Sequence, residues 1–295
     1  MKPTCYVCCP SYAVAGPLER SAFVAKATTL CEKQDWTLIA SPLMERRFPG
    51  GVWLPRAERE EDIRRALRHD IVIGFRGGYG AVELVPTLLK TKTRRKPRLL
   101  GFSDVTVLQA AWHTRRWGEG YYGTLPDRWD GRQGESLLRL VRGEGFQLCS
   151  RDERAGQVLR AGHVTGRCFT ACVSVLAGLC GTGVQPDLRG YLLAIEDIDE
   201  KPYQVDFALH QLLLSGTLRG LAGLLGGSFS HTNRADYQGP THSEILTGWA
   251  ARLKVPCVAR LPFGHMDDPV VMPNGRSVTL HAKRTGAWSL EFHPR

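Results

Sequence analysis

The stretch Arg98-Leu-Leu-Gly-Phe-Ser-Asp-Val-Thr-Val-Leu-Gln-Ala-Ala-Trp112 changes period in its middle. Leu99 and Leu100 end a short apolar run, Gly101 permits a tight approach, and Ser103 falls at the junction. From there Val105, Leu108, Ala111 and Trp112 recur at helical spacing, so the segment reads strand, sharp turn, helix. A serine on such a corner holds its hydroxyl clear of both elements. Backbone N–H groups at the helix start point the same way and favour negative charge. An acyl-transfer nucleophile needs this arrangement, because its tetrahedral intermediate places an oxyanion beside it. Ser-Asp at a helix start is also ordinary N-capping chemistry, so the segment needs partners from elsewhere in the chain.

Outward from this corner, strand and helix alternate. Residues 4–9 read as a strand, 10–17 as a loop, 19–34 as a helix, 36–40 as a strand and 48–51 as a loop. A charged helix over 57–69 follows, with Ile63 and Leu67 inward, then the apolar strand Ile71-Val-Ile-Gly-Phe75 and the loop Arg76-Gly-Gly-Tyr-Gly80. Such alternation predicts a mostly parallel sheet with helices on both faces. In these sheets the working loops lie past the carboxyl ends of the strands, where both Arg76–Gly80 and Ser103 fall.

The pattern weakens after about residue 125, and 128–161 is polar, with one helix near 136–141. A second block then reads as a helix over 169–180, strand 190–195, helix 203–215, strand 221–228, helix 244–253 and strand 257–261, with short strands at 277–280 and 287–292. The expected fold class is α/β: an N-terminal, mostly parallel sheet with flanking helices, plus a smaller C-terminal α/β domain with short strands. The expected boundaries are 1–127 for a nucleophile domain, 128–161 for a connecting segment, and 162–295 for a domain carrying acid and base.

With 295 residues, 43% of them hydrophobic, the chain can bury a large core. No apolar stretch approaches the roughly 20 residues of a membrane span, and the N-terminus reads as a first strand, not a signal peptide. The nine cysteines are odd in number and follow no disulfide framework, which points to a reducing, cytoplasmic compartment. Cys5, Cys8 and Cys9 lack a second pair at finger-like spacing, so they read as buried strand residues and no metal is expected. The net charge of +10 includes the run Lys90-Thr-Lys-Thr-Arg-Arg-Lys-Pro-Arg98. It could hold phosphates or be a solvated loop. Without interleaved aromatics the loop is the better reading, and no nucleic-acid partner is expected.

Two further segments supply candidate partners for Ser103. Tyr191-Leu-Leu-Ala-Ile-Glu-Asp-Ile-Asp-Glu200 is an apolar strand ending in carboxylates. Glu196, the first of them, could orient a histidine; the cluster could equally cap the next helix or bind a hard cation. In Val258-Ala-Arg-Leu-Pro-Phe-Gly-His-Met266, His265 lies on a Pro/Gly loop past a strand, free to titrate near neutrality as a general base must. The glycines of 76–80 let backbone N–H groups face an oxyanion or carboxylate, or they merely form a tight turn. The loop lacks the ending of a P-loop and the spacing of a dinucleotide fingerprint.

Taken together, Arg76–Gly80, Gly101-Phe-Ser-Asp104, Ile195–Tyr203, Gly226-Gly-Ser-Phe-Ser230 and Phe263-Gly-His265 resemble the L,D-carboxypeptidases, or muramoyl-tetrapeptide carboxypeptidases. That family includes the microcin C self-immunity peptidases, and the resemblance spans nearly the whole chain. It implies Ser103 as nucleophile, Glu196 as acid, His265 as base, and an oxyanion hole from the backbone N–H groups of Gly78 and Asp104. It further implies a homodimeric, metal-free hydrolase that takes a murein tetrapeptide or muropeptide and releases terminal D-alanine during peptidoglycan recycling. Arg76 is a candidate for the substrate carboxylate by its proximity to the glycine loop. A peptidyl- or aminoacyl-nucleotide substrate and a non-catalytic murein binder are the alternatives. Two segments depart from the family pattern: Thr170-Ala-Cys-Val173 replaces Gly-Gly-Asn-Leu, and Gly123-Thr-Leu125 replaces Gly-Pro-Met. Both are expected to border the cleft and bear on substrate shape.

Overall fold

The computed structural model describes residues 2–11, 17–45, 54–230 and 237–295. The loop expected at 48–51, and most of that at 10–17, lie outside the described residues. The first half opens with β1 (Thr4–Cys8), α1 (Pro17–Gln34), β2 (Thr37–Ala40), α2 (Arg56–Ala66) and β3 (Ile71–Gly74). It continues with α3 (Val85–Lys90), β4 (Arg98–Gly101), α4 (Thr106–Arg115) and β5 (Gly120–Tyr122). β1, β3, β4 and β5 are short and almost wholly buried, as expected where helices cover a parallel sheet, whereas the edge strand β2 is half-buried with exposed ends. β2, β1, β3, β4 and β5 run parallel in that spatial order.

The second half contributes α5 (Arg132–Arg142), β6 (Phe146–Cys149), β7 (Gln157–Arg160), β8 (Gly162–Cys172), α6 (Val173–Gly178) and β9 (Tyr191–Asp197). After these come α7 (Pro202–Leu214), β10 (Gly223–Phe229), α8 (His242–Leu253), β11 (Cys257–Ala259), β12 (Met272–Asn274), β13 (Ser277–Ala282) and β14 (Trp288–Phe292). The second sheet runs β6-β14-β13-β8-β9-β10-β11-β7, with β8 to β11 parallel and the outer strands antiparallel. The mixed α/β class expected from sequence is what the chain adopts, but the second sheet is the larger of the two, with eight strands against six.

Three local readings change. Residues 169–172 are strand, not helix: the buried run Cys168-Phe-Thr-Ala-Cys172 continues β8, and only Val173–Gly178 is helical. An apolar run of this length carries no period of its own, and here tertiary pairing with β9 decides. Beyond the last β13 partner, the Asn274 side chain takes over the ladder, accepting from Thr170 N–H at 2.6 Å and donating to its carbonyl at 3.2 Å. The stretch 128–161 is more than a connector, since β6 and β7 from it form the two edges of the second sheet. Finally, β12 crosses back and pairs antiparallel with β5, Met272 opposite Tyr122, so the C-terminal half supplies an edge of the first sheet.

The halves share one core. Leu108 and Trp112 of α4 are buried with Phe169 and Ala171 of β8 and Leu176 of α6 in a single apolar cluster. A leucine or phenylalanine side chain contributes about 1.5–3 kcal/mol on burial. The Trp112 indole N–H also donates to the Pro97 carbonyl at 2.8 Å, leaving no polar orphan. The seam between the sheets is therefore packed, and side chains from both can meet at a fixed distance.

Candidate active site

β3, β4, β5, β9 and β11 all deliver their carboxyl ends to one cleft of about 960 Å³. Arg76, Gly77 and Gly78 enter it from the loop after β3, and Ser103 from the corner after β4. Tyr122 enters from the end of β5, and His265 from the loop after β11.

Ser103 adopts φ +58°, the left-handed region that a side-chain-bearing residue rarely occupies. It opens a 3-10 turn (Ser103–Val105) leading into α4. Phe102 occupies the N-cap position and no side chain caps the turn, so capping does not account for the serine. Strain of this kind persists only where its surroundings fix it. Gly77 lies so close that a Cβ there would stand 2.7 Å from Ser103 Cβ and 2.9 Å from its Oγ. The neighbouring Asp104 is buried. Its carboxylate accepts from Ser11 Oγ at 2.7 Å and from Ala81 N–H at 2.9 Å, tying the helix start to the end of the glycine loop. Burial raises its pKa, opposed by those two donors and by Arg59.

Glu196 is fully buried at the end of β9. Its Oε2 accepts from His265 Nδ1 at 2.7 Å and from His265 N–H at 3.0 Å, and its Oε1 accepts from the Tyr122 phenol at 2.6 Å. A buried carboxylate persists as an anion only with such donors. Nδ1 faces an acceptor, so it carries the proton in neutral His265, leaving Nε2 as the basic nitrogen. Burial pulls the His265 pKa down, but the hydrogen bond and charge of Glu196, with Asp197 behind, outweigh it; the net shift is upward from 6.5. Gly264 takes φ +99°, and a Cβ there would come within 2.5 Å of Glu196 Oε2, so the family-like Gly-His pair is a steric requirement of the bond. The Phe102 ring packs against the imidazole at a tilt of 41°, 4.8 Å between centroids. Ser228 Oγ donates to the His265 carbonyl at 3.1 Å.

The other expected residues fall as follows. Gly78, at φ +116°, lines the cleft. Arg76 also lines it and pairs with Glu19 at 3.3 Å. Of the acids after Glu196, Asp197 turns away to accept from Ser174 N–H at 2.8 Å and from the Cys172 thiol at 3.3 Å, so it shares no site with Glu196. Gly123, Thr124 and Leu125 border the cleft as expected, whereas Thr170–Val173 are absent from its lining. They lie beneath it, with Cys172 opposite Glu196 in the strand register. Cys5, Cys8 and Cys9 are buried, and burial drives the thiol pKa values of Cys8 and Cys9 upward. The basic run forms the α3–β4 loop, with Arg95 paired to Asp70 at 2.9 Å and Arg98 stacked over Trp36. Among the described residues no helix is long and apolar enough to cross a membrane.

Sequence reading missed Tyr122 and Asp268. Tyr122 joins the acid to the nucleophile's backbone, since Ser103 N–H donates to its oxygen at 3.2 Å. Asp268, in the loop after His265, accepts from the N–H groups of Arg132 at 3.0 Å and Gln133 at 2.9 Å, capping α5 and anchoring that loop. The one sequence signal for Tyr122 is its place as the last residue of a strand beside a glycine.

Two α/β halves meeting at a cleft with a serine elbow define a class, and comparison with known proteins identifies it as the carboxypeptidases. The family model described as the LD-carboxypeptidase N-terminal domain matches residues 6–123, and that of its C-terminal domain matches residues 165–280. The chain belongs to the LD-carboxypeptidase family, whose members are serine peptidases. A relative from Synechocystis sp. is 30% identical over 277 residues, covering 90% of this chain and 88% of the relative. The murein tetrapeptide carboxypeptidase of Pseudomonas aeruginosa is 29% identical over 244 residues, covering 77% and 78%. Among solved structures, muramoyltetrapeptide carboxypeptidase from Oxalobacter formigenes superposes with a TM-score of 0.77 at 24% identity, covering 98% of this chain and 99% of that one. The microcin C7 self-immunity protein in complex with glutamyl sulfamoyl guanosine gives 0.76 at 16% identity, covering 98% and 97%.

Proposed function

We propose that the chain is a Ser-Glu-His L,D-carboxypeptidase that releases terminal D-alanine from murein tetrapeptides. The observation that carries this reading is the Glu196–His265 hydrogen bond of 2.7 Å, opening onto the same cleft as a serine held at φ +58°. In the proposed reaction His265 Nε2 takes the proton from Ser103 Oγ as the oxygen attacks the amide carbonyl. Glu196 holds the ring and stabilises the imidazolium. The developing oxyanion rests on the N–H groups of Gly78 and Asp104. His265 then protonates the D-alanine amine, the C–N bond breaks, and water repeats the sequence on the acyl-enzyme. Arg76, drawn from its partner Glu19, would meet the free carboxylate of the substrate. A role in cytoplasmic peptidoglycan recycling and a homodimeric state belong to the same proposal.

A second substrate class, peptidyl- or aminoacyl-nucleotides, is favoured by the size of the cleft, about 960 Å³. Incubation of the enzyme with purified murein tetrapeptide and, separately, with an aminoacyl sulfamoyl adenosine decides between them by mass spectrometry. Loss of D-alanine from the tetrapeptide is the expected result. Turnover of the nucleotide alone transfers the mechanism to the second substrate, and turnover of neither leaves a binder of murein fragments. Ser103→Ala is expected to lower turnover by several decades, toward the roughly 10⁶ known for loss of a triad serine. Near-normal release by that variant removes the assignment.

A further inference from the structure

We infer that Tyr122 is a positioning residue that fixes the nucleophile's backbone and the acid with a single phenol, across the seam between the two sheets. The inference rests on the proposed Ser103, Glu196 and His265 roles.

The hydrogen-bond directions at Tyr122 leave no freedom. Ser103 N–H can only donate, and a carboxylate can only accept. The phenol therefore accepts from Ser103 at 3.2 Å and donates to Glu196 Oε1 at 2.6 Å. Glu196 Oε2 in turn takes both donors of His265, at 2.7 and 3.0 Å. The result is one directed chain from the serine amide through the phenol and the carboxylate to the imidazole. Its members come from β4, β5, β9 and the loop after β11, so the phenol joins the first sheet to the second. Tyr122 is itself held: it is 1% exposed, it ends β5 opposite Met272, and its ring meets Phe102 edge-on at 6.4 Å.

Three consequences follow. Ser103 is kept in its left-handed conformation by a bond to its own N–H, which points Oγ toward the cleft. That N–H, committed to the phenol, is withheld from the oxyanion, and stabilisation falls to other amides, those of Gly78 and Asp104. The second donor on Glu196 also spreads the carboxylate's charge, which tempers its grip on the imidazole proton. The titratable groups whose charge acts on the phenol or the imidazole are Glu196 on both, Cys172 on the phenol and Asp197, turned away, on the imidazole. Burial first, then the charge of Glu196, raises the phenol pKa well above 10, so Tyr122 stays a donor throughout the working range.

The test compares wild type, Tyr122→Phe, Ser103→Ala and a protein carrying 3-fluorotyrosine at position 122 alone. D-alanine release from tetrapeptide is measured against pH, with kcat and KM separated, beside a thermal melt. Tyr122→Phe keeps the ring and its packing. It is expected to lower kcat about ten- to hundredfold, the range for losing a hydrogen bond to a charged group, with KM changed less. The acid limb of kcat/KM moves to higher pH, because a carboxylate short of one donor holds the imidazolium more firmly. Fluorination keeps both bonds but makes the phenol more acidic, so the limb moves the other way, to lower pH. That arm serves even where Tyr122→Phe fails to fold. An unmoved acid limb in the fluorinated protein, or a Tyr122→Phe enzyme that only melts earlier with kcat and limb intact, overturns the inference. An active Ser103→Ala variant instead sinks the peptidase reading itself, so the two failures are distinguishable.

Discussion

Replacement of Gly77 by alanine strikes the nucleophile without touching any charged group. The added methyl would stand 2.7 Å from Ser103 Cβ, 0.7 Å inside the 3.4 Å at which ordinary contact begins. Ser103 has little room to retreat, since φ +58° is already strained and its N–H is bonded to Tyr122. The glycine loop is pinned as well: Gly80 accepts from Arg59 at 2.8 Å, and Ala81 N–H donates to Asp104 at 2.9 Å. Displacement therefore falls mainly on the serine hydroxyl. A misplacement of about 1 Å at a reacting atom costs on the order of 10²-fold in rate, so kcat/KM for D-alanine release is expected to fall about 30- to 100-fold. The overpacking costs about 1–3 kcal/mol, which lowers Tm by several degrees in a chain of this size. A coupled assay for free D-alanine and a thermal melt read both quantities. Wild-type turnover at wild-type Tm would refute the reasoning, because the close approach of Gly77 would then place no constraint on Ser103.

Other perturbations follow from the same geometry. His265 must be neutral to accept the serine proton, and its pKa is raised. The acid limb of kcat/KM should accordingly lie above 6.5, with activity lost as pH falls through it, and a limb below 6.5 would contradict the Glu196 contact. Asp268→Ala removes both α5 capping bonds, at a cost of about 0.5–2 kcal/mol; a lower Tm with reduced kcat/KM is expected, since the same loop carries His265. Gly248 lies inside α8 with open space where a Cβ would go. Gly248→Ala should add about 0.5–1 kcal/mol and raise Tm with activity unchanged.

The sequence displayed the candidate site better than the scaffold around it. Ser103, Glu196 and His265 each follow an apolar run, so their placement at strand ends was legible from pattern alone. The Arg76–Gly80 loop was legible for the same reason. Tyr122 was not, because its partner lies 74 residues away and nothing local marks its hydroxyl as buried. Arg59 and Asp62 hid in the same way. On a helix that reads as charged, with Ile63 and Leu67 its inward residues, both are buried: Arg59 against the carbonyls of Leu54, Pro10 and Gly80, Asp62 against Tyr6, Ser41 and Cys9. β6 and β7 were missed because edge strands in polar surroundings lack a buried face to set a period. β12, three residues long, is defined by its pairing with β5 more than by its own composition.

The central claim is that Ser103 is made nucleophilic by His265 held on Glu196. Its most direct test is covalent capture: the enzyme is incubated with a serine-directed fluorophosphonate, and the labelled peptide is located by mass spectrometry. The account predicts one adduct on Ser103, lost in His265→Ala and strongly slowed in Glu196→Gln. An unlabelled Ser103, or labelling that persists undiminished without His265, would contradict it.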